Sequence, residues 1–311
     1  MRAARVHEFG NPLQIDDVPS PAAEGDEVVV QLTHAGVNPI DIRVAEGGAG
    51  RVPLPFILGC EGTGTVDGAP VLVYGGGIGL ARSGTYAERV VAPTANVIAV
   101  PDGIDPVQAA GLGLAGVTAW GVVHADARIA TEDRVLVLGS SGGVGTLAVQ
   151  LAVAAGATVH AQTSTSKDAR LLRDLGADEV VATEAEGLRD AFRDFKPTVV
   201  IDPLGGPFTS EALRCVASEA RIIVFGVAAG QRSDIDLALL YRKAASLRGH
   251  AALTTPVDDV RRALGSCLEL MAAGQLRVHV DEVLPLGDVN DVHTRLLERR
   301  ATGKLLLSVT D

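Results

Sequence analysis

RVLVLGSSGGVGTLAVQLAVAAGATVHAQTSTSK, residues 134–167, decides the fold. An apolar run, Val135 to Leu138, ends at glycines. A helical pattern follows, with Val144, Leu147, Ala148 and Leu151 three or four residues apart, and Gly156 stops it. A second apolar run, Ala157 to Ala161, enters a Thr/Ser cluster. The order strand, tight turn, helix, strand is the first half of a nucleotide-binding βαβ unit. Gly142 lets the backbone approach a pyrophosphate, and Gly145 lets the helix lie close on the strand. The N–H groups at the helix start, around Ser141, Gly143 and Val144, face the phosphates. The usual G-x-G-x-x-G is incomplete, because Ser140 stands in its first slot. An ordinary αβ turn is the bland reading of the same residues.

The end of the second strand selects the cofactor. A site for NAD places Asp or Glu there, to accept from the ribose 2′-OH. This chain has Gln162, Thr163, Ser164, Thr165, Ser166 and Lys167. No carboxylate repels a 2′-phosphate, and hydroxyls and an ammonium are present to bind one, so NADPH is expected. Otherwise Ser164 to Ser166 cap the next helix and Lys167 is solvated.

A chain of 311 residues with 47% apolar residues suits two domains or one large one, with ample core. No apolar run reaches the length of a membrane span, and MRAARVHEFGNP leads into a strand pattern, so a cytoplasmic protein is expected. Three cysteines, Cys60, Cys215 and Cys267, make neither a disulfide framework nor a thiolate metal cage. A net charge of -11 disfavours nucleic acid and anionic membranes as partners.

Short strands with turns fill the N-terminal part: 2–6, 27–33, 62–66, 71–74, 86–91 and 97–100, an irregular barrel or sandwich. A helical region begins at Asp105. After Lys167 the pattern alternates: helix 169–175, strand 179–181, helix 186–195, strand 198–201, helix 207–216 and strand 221–225. The strands are nearly continuously apolar, as a parallel sheet covered on both faces requires. Ligands bind at the carboxyl ends of such strands, here Gly139, Asp202 to Gly206, and Gly226 to Gly230. Asp202 can cap its turn, and the glycines around Gly226 and Val227 leave room for a flat ring. Helices are expected at 235–247, 258–273 and 289–299, and strands at 275–280 and 304–309. Periodicity alone does not assign this tail to either sheet.

Alcohol oxidation needs a metal or a proton relay. His34, Cys60 and Glu61 are the candidate zinc ligands, but no compact Cys/His spacing accompanies them. Cys60 reads as a buried inert thiol, and Cys215 and Cys267 as small core residues. His34 suits the end of a strand pairing equally well. Asn38 and Asp41 in AGVNPID, Thr118 in AGVTAW, and Tyr74 and Tyr86 are the remaining polar candidates. Asn38 offers a donor and an acceptor to a carbonyl, Asp41 fixes its loop, and a tyrosine can donate to a substrate oxygen. No Gly-x-Ser-x-Gly elbow, Walker lysine motif or HExxH occurs.

Several stretches together resemble the medium-chain dehydrogenase/reductase superfamily and, within it, the zinc-free NADPH:quinone oxidoreductase (zeta-crystallin-like) branch. They are AGVNPIDIRVAEG (35–47), PLPFILGCEGTGTV (53–66), GTYAERVVAP (84–93), AGVTAW (115–120), VLVLGSSGGVGTLAVQLAVAAGATV (135–159), LLRDLGADEVV (171–181) and GKLLLSV (303–309). The resemblance implies an α/β fold: a Rossmann doubly wound parallel sheet, 116–274, inserted into a GroES-like β-rich catalytic domain, 1–115 completed by 275–311. It implies cofactor binding between these domains, and homodimers. It makes Gly142, Gly143, Val144 and Gly145 the pyrophosphate turn, gives Ser164 and Lys167 to the 2′-phosphate, and gives Asn38 and Thr118 to the nicotinamide end. Zinc-dependent relatives carry a cysteine where this chain has Asn38, and His-Glu in place of Cys60–Glu61. Two departures are visible. The region 66–74 is shorter than the family's loop, and no tyrosine follows Gly176–Ala177–Asp178.

The reaction implied is hydride transfer from NADPH to a quinone or an α,β-unsaturated carbonyl compound. The cofactor supplies the chemistry and the protein the orientation, with Asn38 and Tyr74 as candidate hydrogen-bonding groups. The rival readings are an enoyl-thioester reductase of the same fold and a non-catalytic NADPH-binding or sensing protein.

Overall fold

A computed structural model of the protein describes residues 1–49 and 52–310. The chain forms two compact units, Met1–Val117 with Leu253–Asp311, and Thr118–Ala252. The first unit opens with β1 (Arg2–Val6), β2 (Gln14–Asp17), β3 (Glu27–Gly36), α1 (Pro39–Ala45), β4 (Phe56–Ile57), β5 (Glu61–Val66), β6 (Ala69–Tyr74), β7 (Arg89–Pro93), β8 (Val97–Ala99) and α2 (Pro106–Ala110). Helix α3 (Gly113–Trp120) carries the chain into the second unit. β5 and β6 are joined by the two residues Asp67 and Gly68, both at positive φ, a primed hairpin turn. That tight turn is the physical content of the short 66–74 region.

The second unit contains β9 (Arg134–Val137), α4 (Gly143–Ala154), β10 (Thr158–Thr163), α5 (Ala169–Asp174), β11 (Glu179–Ala182), α6 (Ala185–Phe192), β12 (Val199–Asp202), α7 (Gly206–Cys215), β13 (Arg221–Val224), α8 (Leu237–Arg242) and β14 (Ser246–Gly249). All six strands are parallel, in the order β11-β10-β9-β12-β13-β14. This is the doubly wound order, and the winding direction reverses between β9 and β12. Val135, Leu136 and Val137 on β9 and Val199, Val200 and Ile201 on β12 are fully buried, which accounts for the unbroken apolar runs.

The chain then returns to the first unit with α9 (Val257–Ala272), β15 (Val280–Pro285), α10 (Val289–Leu297) and β16 (Lys304–Ser308). α9 buries Val260, Ala263, Leu264, Cys267 and Leu268, the stripe that a helix needs to pack on one side. β15 and β16 join a seven-stranded sheet in the order β15-β16-β3-β5-β6-β8, with β7 also on β3. The ten-residue β3 serves two partners in succession along one edge. Its first half pairs with β7, and its last residues, His34 to Gly36, pair with β16.

Three expectations are corrected. The helix expected over 235–247 is only α8; Ala244 takes a positive φ, and Ser246–Gly249 becomes an edge strand beside β13. The strand expected over 275–280 begins at Val280 instead. The units divide after Val117 and Ala252, so α9 packs within the first unit rather than in the nucleotide-binding one.

Candidate functional site

In the second unit, the carboxyl ends of β9 and β10 are tied together. The Ser140 hydroxyl and its N–H both donate to the Gln162 carbonyl, at 2.8 and 3.0 Å. The Gln162 side chain accepts from Gly139 N at 2.9 Å and donates to the carbonyls of Thr163 and Thr183. Ser140 therefore replaces the first glycine of the motif with a specific bond to the neighbouring strand. A Cβ on Gly145 would stand 2.7 Å from Gly139 O and Ser140 Cα, so only glycine lets α4 lie this close to the turn. A Cβ on Gly142 would meet nothing nearer than Gly139 O at 3.5 Å. Gly143, Val144 and Gly145, at the amino end of α4, have no intrahelical acceptors for their N–H groups.

Ser164, Thr165, Ser166 and Lys167 follow β10 and are all exposed. Thr163 is buried, its hydroxyl donating to Thr165 O at 2.6 Å. Asp202 caps its turn as expected. Its Oδ1 accepts from Leu204 N and Gly205 N, its Oδ2 accepts from Thr209 Oγ1 at 2.5 Å, and burial pushes its carboxyl up. A Cβ on Gly226 would strike the Pro203 carbonyl. Val227 beside it is exposed. Thr118 is buried on α3.

The first unit holds a second polar constellation, closed off from the surface. Asn38 caps α1 in a capping box whose other member is Asp41; Asn38 N donates to Asp41 Oδ2 at 2.8 Å. Tyr86 OH donates to the same oxygen at 3.0 Å, and Asp41 Oδ1 is buried without a partner. Burial raises the Asp41 carboxyl to about 7. Asp41 thus fixes its loop, as read from the sequence. The Asn38 amide turns inward, with Nδ2 donating to Glu61 Oε1 at 2.8 Å and to Cys60 Sγ at 3.6 Å. Its Oδ1 accepts from Lys304 Nζ at 2.7 Å, and the same ammonium lies 2.7 Å from Glu61 Oε1 and 3.0 Å from Val37 O. Glu61 Oε2 accepts from Leu114 N at 2.6 Å.

The thiol of Cys60 is fully enclosed, and burial, with Asp41 beside it, holds it protonated well above the usual thiol range. Tyr74 is buried too, its phenol pushed up by desolvation and by the neighbouring Cys60 and Glu61. Both residues therefore belong to the surroundings of Glu61. His34 lies apart from them, finishing β3 against Thr63 and Ser308 with Nδ1 3.1 Å from Thr33 Oγ1. Cys215 and Cys267 are buried core thiols, raised by burial to about 11 and about 12. The residue that sequence reasoning missed is Lys304. Its signal was a lone cation at the start of the apolar strand Leu305, Leu306, Leu307, where a solvent-facing lysine has no reason to stand.

Among the described residues no group of three or more His, Cys, Asp or Glu is arranged to hold a metal ion. The donors nearest to such a set are already engaged: Glu61 faces an ammonium, an amide and a backbone N–H, and Cys60 keeps its proton. This donor set does not fit a divalent cation.

Comparison with known proteins accords with this geometry. A family model described as zinc-binding dehydrogenase matches residues 143–269, and one described as alcohol dehydrogenase GroES-like domain matches residues 24–73. Quinone oxidoreductase-like protein 2 of Bos taurus is 31% identical over 324 residues, covering 99% of this chain and 92% of the relative. The quinone oxidoreductase of Thermus thermophilus, whose structures include a complex with NADPH, superposes with a TM-score of 0.88 at 30% identity, over 99% of this chain and 100% of that one. A cobalt- and zinc-bound alcohol dehydrogenase from Pyrobaculum aerophilum superposes with a TM-score of 0.87 at 27% identity, over 99% of both chains. With a full-length relative above 30% identity and both halves of the fold matched, the chain belongs to the medium-chain dehydrogenase/reductase superfamily, as an enzyme of its quinone-oxidoreductase-like branch.

Proposed function

We propose that the second unit binds NADPH and that the enzyme passes its hydride to a quinone or an α,β-unsaturated carbonyl compound. The observation that carries this reading is the pairing of an open glycine turn at the amino end of α4 with a carboxylate-free, exposed Ser164–Lys167 segment after β10. The backbone N–H groups of Gly143 to Gly145 would hold the pyrophosphate, with Ser141 at the turn's rim. Ser164 and Lys167 would hold the 2′-phosphate, Thr163 setting the end of the strand before them. Gly226 and Val227 line the carboxyl edge of β13, and Thr118 on α3 serves the nicotinamide end.

Bound NADPH supplies a hydride from its C4. The protein orients the acceptor, and water supplies the proton that completes a hydroquinone or a saturated ketone. Asn38 acts through position: its amide is held rigid by Lys304, Glu61 and Cys60. Tyr74 stays a neutral phenol, able to donate a hydrogen bond but not to ionise near neutral pH.

The decisive experiment follows NADPH oxidation with a panel of a simple benzoquinone, a short enone and an enoyl thioester. Turnover with the first two supports the reading, and turnover confined to the thioester replaces it with thioester reduction. Tight NADPH binding without turnover on any member leaves a binding protein.

We further propose a homodimer formed through β14. This strand is the edge of its sheet, all four of its residues are exposed, and Leu247 is 44% exposed. On the neighbouring α8, Leu237 and Tyr241 are 70% and 74% exposed. An exposed edge strand whose outer side has no strand partner is a template for pairing with a second copy. Light scattering on the wild type and on Leu247→Lys tests this; a monomeric wild type would end it. No helix among the described residues is long and apolar enough to cross a membrane, and three buried free thiols suit a cytoplasmic location.

A further inference from the structure

Lys304 is 4% exposed, and all three ammonium protons are committed to Val37 O, Asn38 Oδ1 and Glu61 Oε1. The backbone is opened on two sides to seat its partner. A Cβ on Gly113 would lie 2.6 Å from Glu61 Oε2, and one on Gly36 would strike Glu61 Oε1. A buried ion pair is a poor stabilising device, because desolvation offsets most of its Coulombic gain and a well-packed apolar pair of similar size serves as well. Its presence beside Asn38 and Cys60 therefore calls for another purpose. The matching family model is described as zinc-binding and one structural neighbour is cobalt- and zinc-bound; in the present chain the positive charge facing Glu61 is an amine.

We propose that Lys304 is the resident cation of this site, a positioning residue whose ammonium fixes the Asn38 amide and closes the Asn38–Cys60–Glu61 cluster to divalent metal. The amine and a metal ion compete for the same lone pairs of Glu61, so a folded chain with Lys304 in place has no vacant ligand there. Because β16 is hydrogen-bonded to β3 through Leu306 and Gly36, the ammonium is delivered by a fixed strand rather than a mobile loop.

The positioning role rests on the function proposed above; closure to metal does not, and the two are read separately. For closure, the full chain is dialysed against chelator and titrated with cobalt(II), read by absorption for a thiolate–cobalt band and by equilibrium dialysis. The wild type is expected to show neither a band nor stoichiometric uptake. One cobalt per chain with a band lost in Cys60→Ser would overturn the proposal.

For positioning, Lys304→Met is compared with the wild type for NADPH affinity and for turnover of a quinone. The expected result is a fall in kcat of at least about tenfold with NADPH affinity unchanged. In Lys304→Ala, propylammonium is expected to restore turnover several-fold where propanol of equal size does not. Wild-type kcat in Lys304→Met, or equal rescue by propanol, refutes the positioning role. Should Lys304→Met fail to fold, the neutral pair Lys304→Met/Glu61→Leu takes its place, with wild-type turnover in the folded pair again refuting it.

Discussion

Lys304 Nζ and Glu61 Oε1 lie 2.7 Å apart, although 243 residues separate them in the chain. Removing one partner leaves the other buried and unpaired, which typically costs about 3–5 kcal/mol. Glu61→Leu and Lys304→Met are each expected to lower the urea midpoint strongly. The double variant is expected to recover most of the loss. A double-mutant cycle in urea measures the coupling, and additive single effects would show that the pair is not an energetic unit.

Asp41 and His293 give the first unit two opposed pH dependences. Burial raises the Asp41 carboxyl to about 7, so the folded state keeps a proton that the unfolded chain releases near 3.8. Its contribution is greatest below the unfolded value and declines as pH rises toward 7. His293, buried against the Tyr86 ring with Nε2 unpartnered, is lowered by burial to about 4. Its contribution is full above 6.5 and is lost as pH falls toward 4. The wild type should therefore show a shallow profile between pH 4 and 7. Asp41→Asn, which keeps an acceptor for Asn38 N and Tyr86 OH, should expose a stability that rises with pH by a few kcal/mol, on the order set by the remaining shift. Urea melts at half-unit pH intervals decide this, and a flat profile in the variant would contradict it.

Gly145→Val should damage both stability and nucleotide affinity. Even its Cβ falls 2.7 Å from three backbone atoms of the turn. Overpacking of this kind costs about 1–3 kcal/mol, and α4 must move off the sheet to relieve it. Thermal melts and fluorescence titration with NADPH should show the two losses together. Intact affinity in the folded variant would remove the turn from the proposed site.

Lys167 should choose between the two nicotinamide cofactors. Lys167→Glu places a carboxylate at the exposed end of β10, where it repels a 2′-phosphate. The ratio of kcat/KM for NADPH over NADH is expected to fall about tenfold, the effect of one lost charge-assisted bond of roughly 1.4 kcal/mol. An unchanged ratio would place the 2′-phosphate elsewhere.

Cys60, Cys215 and Cys267 are all buried, and burial keeps each thiol protonated above its ordinary value. The native protein should resist iodoacetamide at pH 8, and all three should react once it is unfolded. Mass spectrometry of the alkylated chain reads the count. Rapid native labelling of Cys60 would mean that its pocket opens.

Much of the fold was legible because the parallel sheet writes itself into the chain as short apolar runs between helical stripes. Val135 to Val137 and Val199 to Ile201 are buried on both faces and so carry no polar interruption. Where burial fails, the reading fails with it. Ser246–Gly249 is an exposed edge strand, and its Leu247 was absorbed into the helical spacing of Leu237 and Leu240. The nucleotide turn was visible because its glycines lie within one segment. The Asn38–Glu61–Lys304 cluster was not, because its members come from α1, β5 and β16, and no local pattern records a pairing made through tertiary structure.

The discontinuity of the first unit sets an order of events during synthesis. The second unit is a single stretch and can fold as soon as it leaves the ribosome, whereas β3 must wait for β16 to complete its edge. At about 5–20 residues per second, the 243 residues between Glu61 and Lys304 take roughly 12–50 s to translate. For that interval the nascent β-rich half has a carboxylate in its future core with no counter-charge and a sheet edge with no partner. This is the stage at which the protein has most need of a holdase, and at which an inserted pause would do most harm.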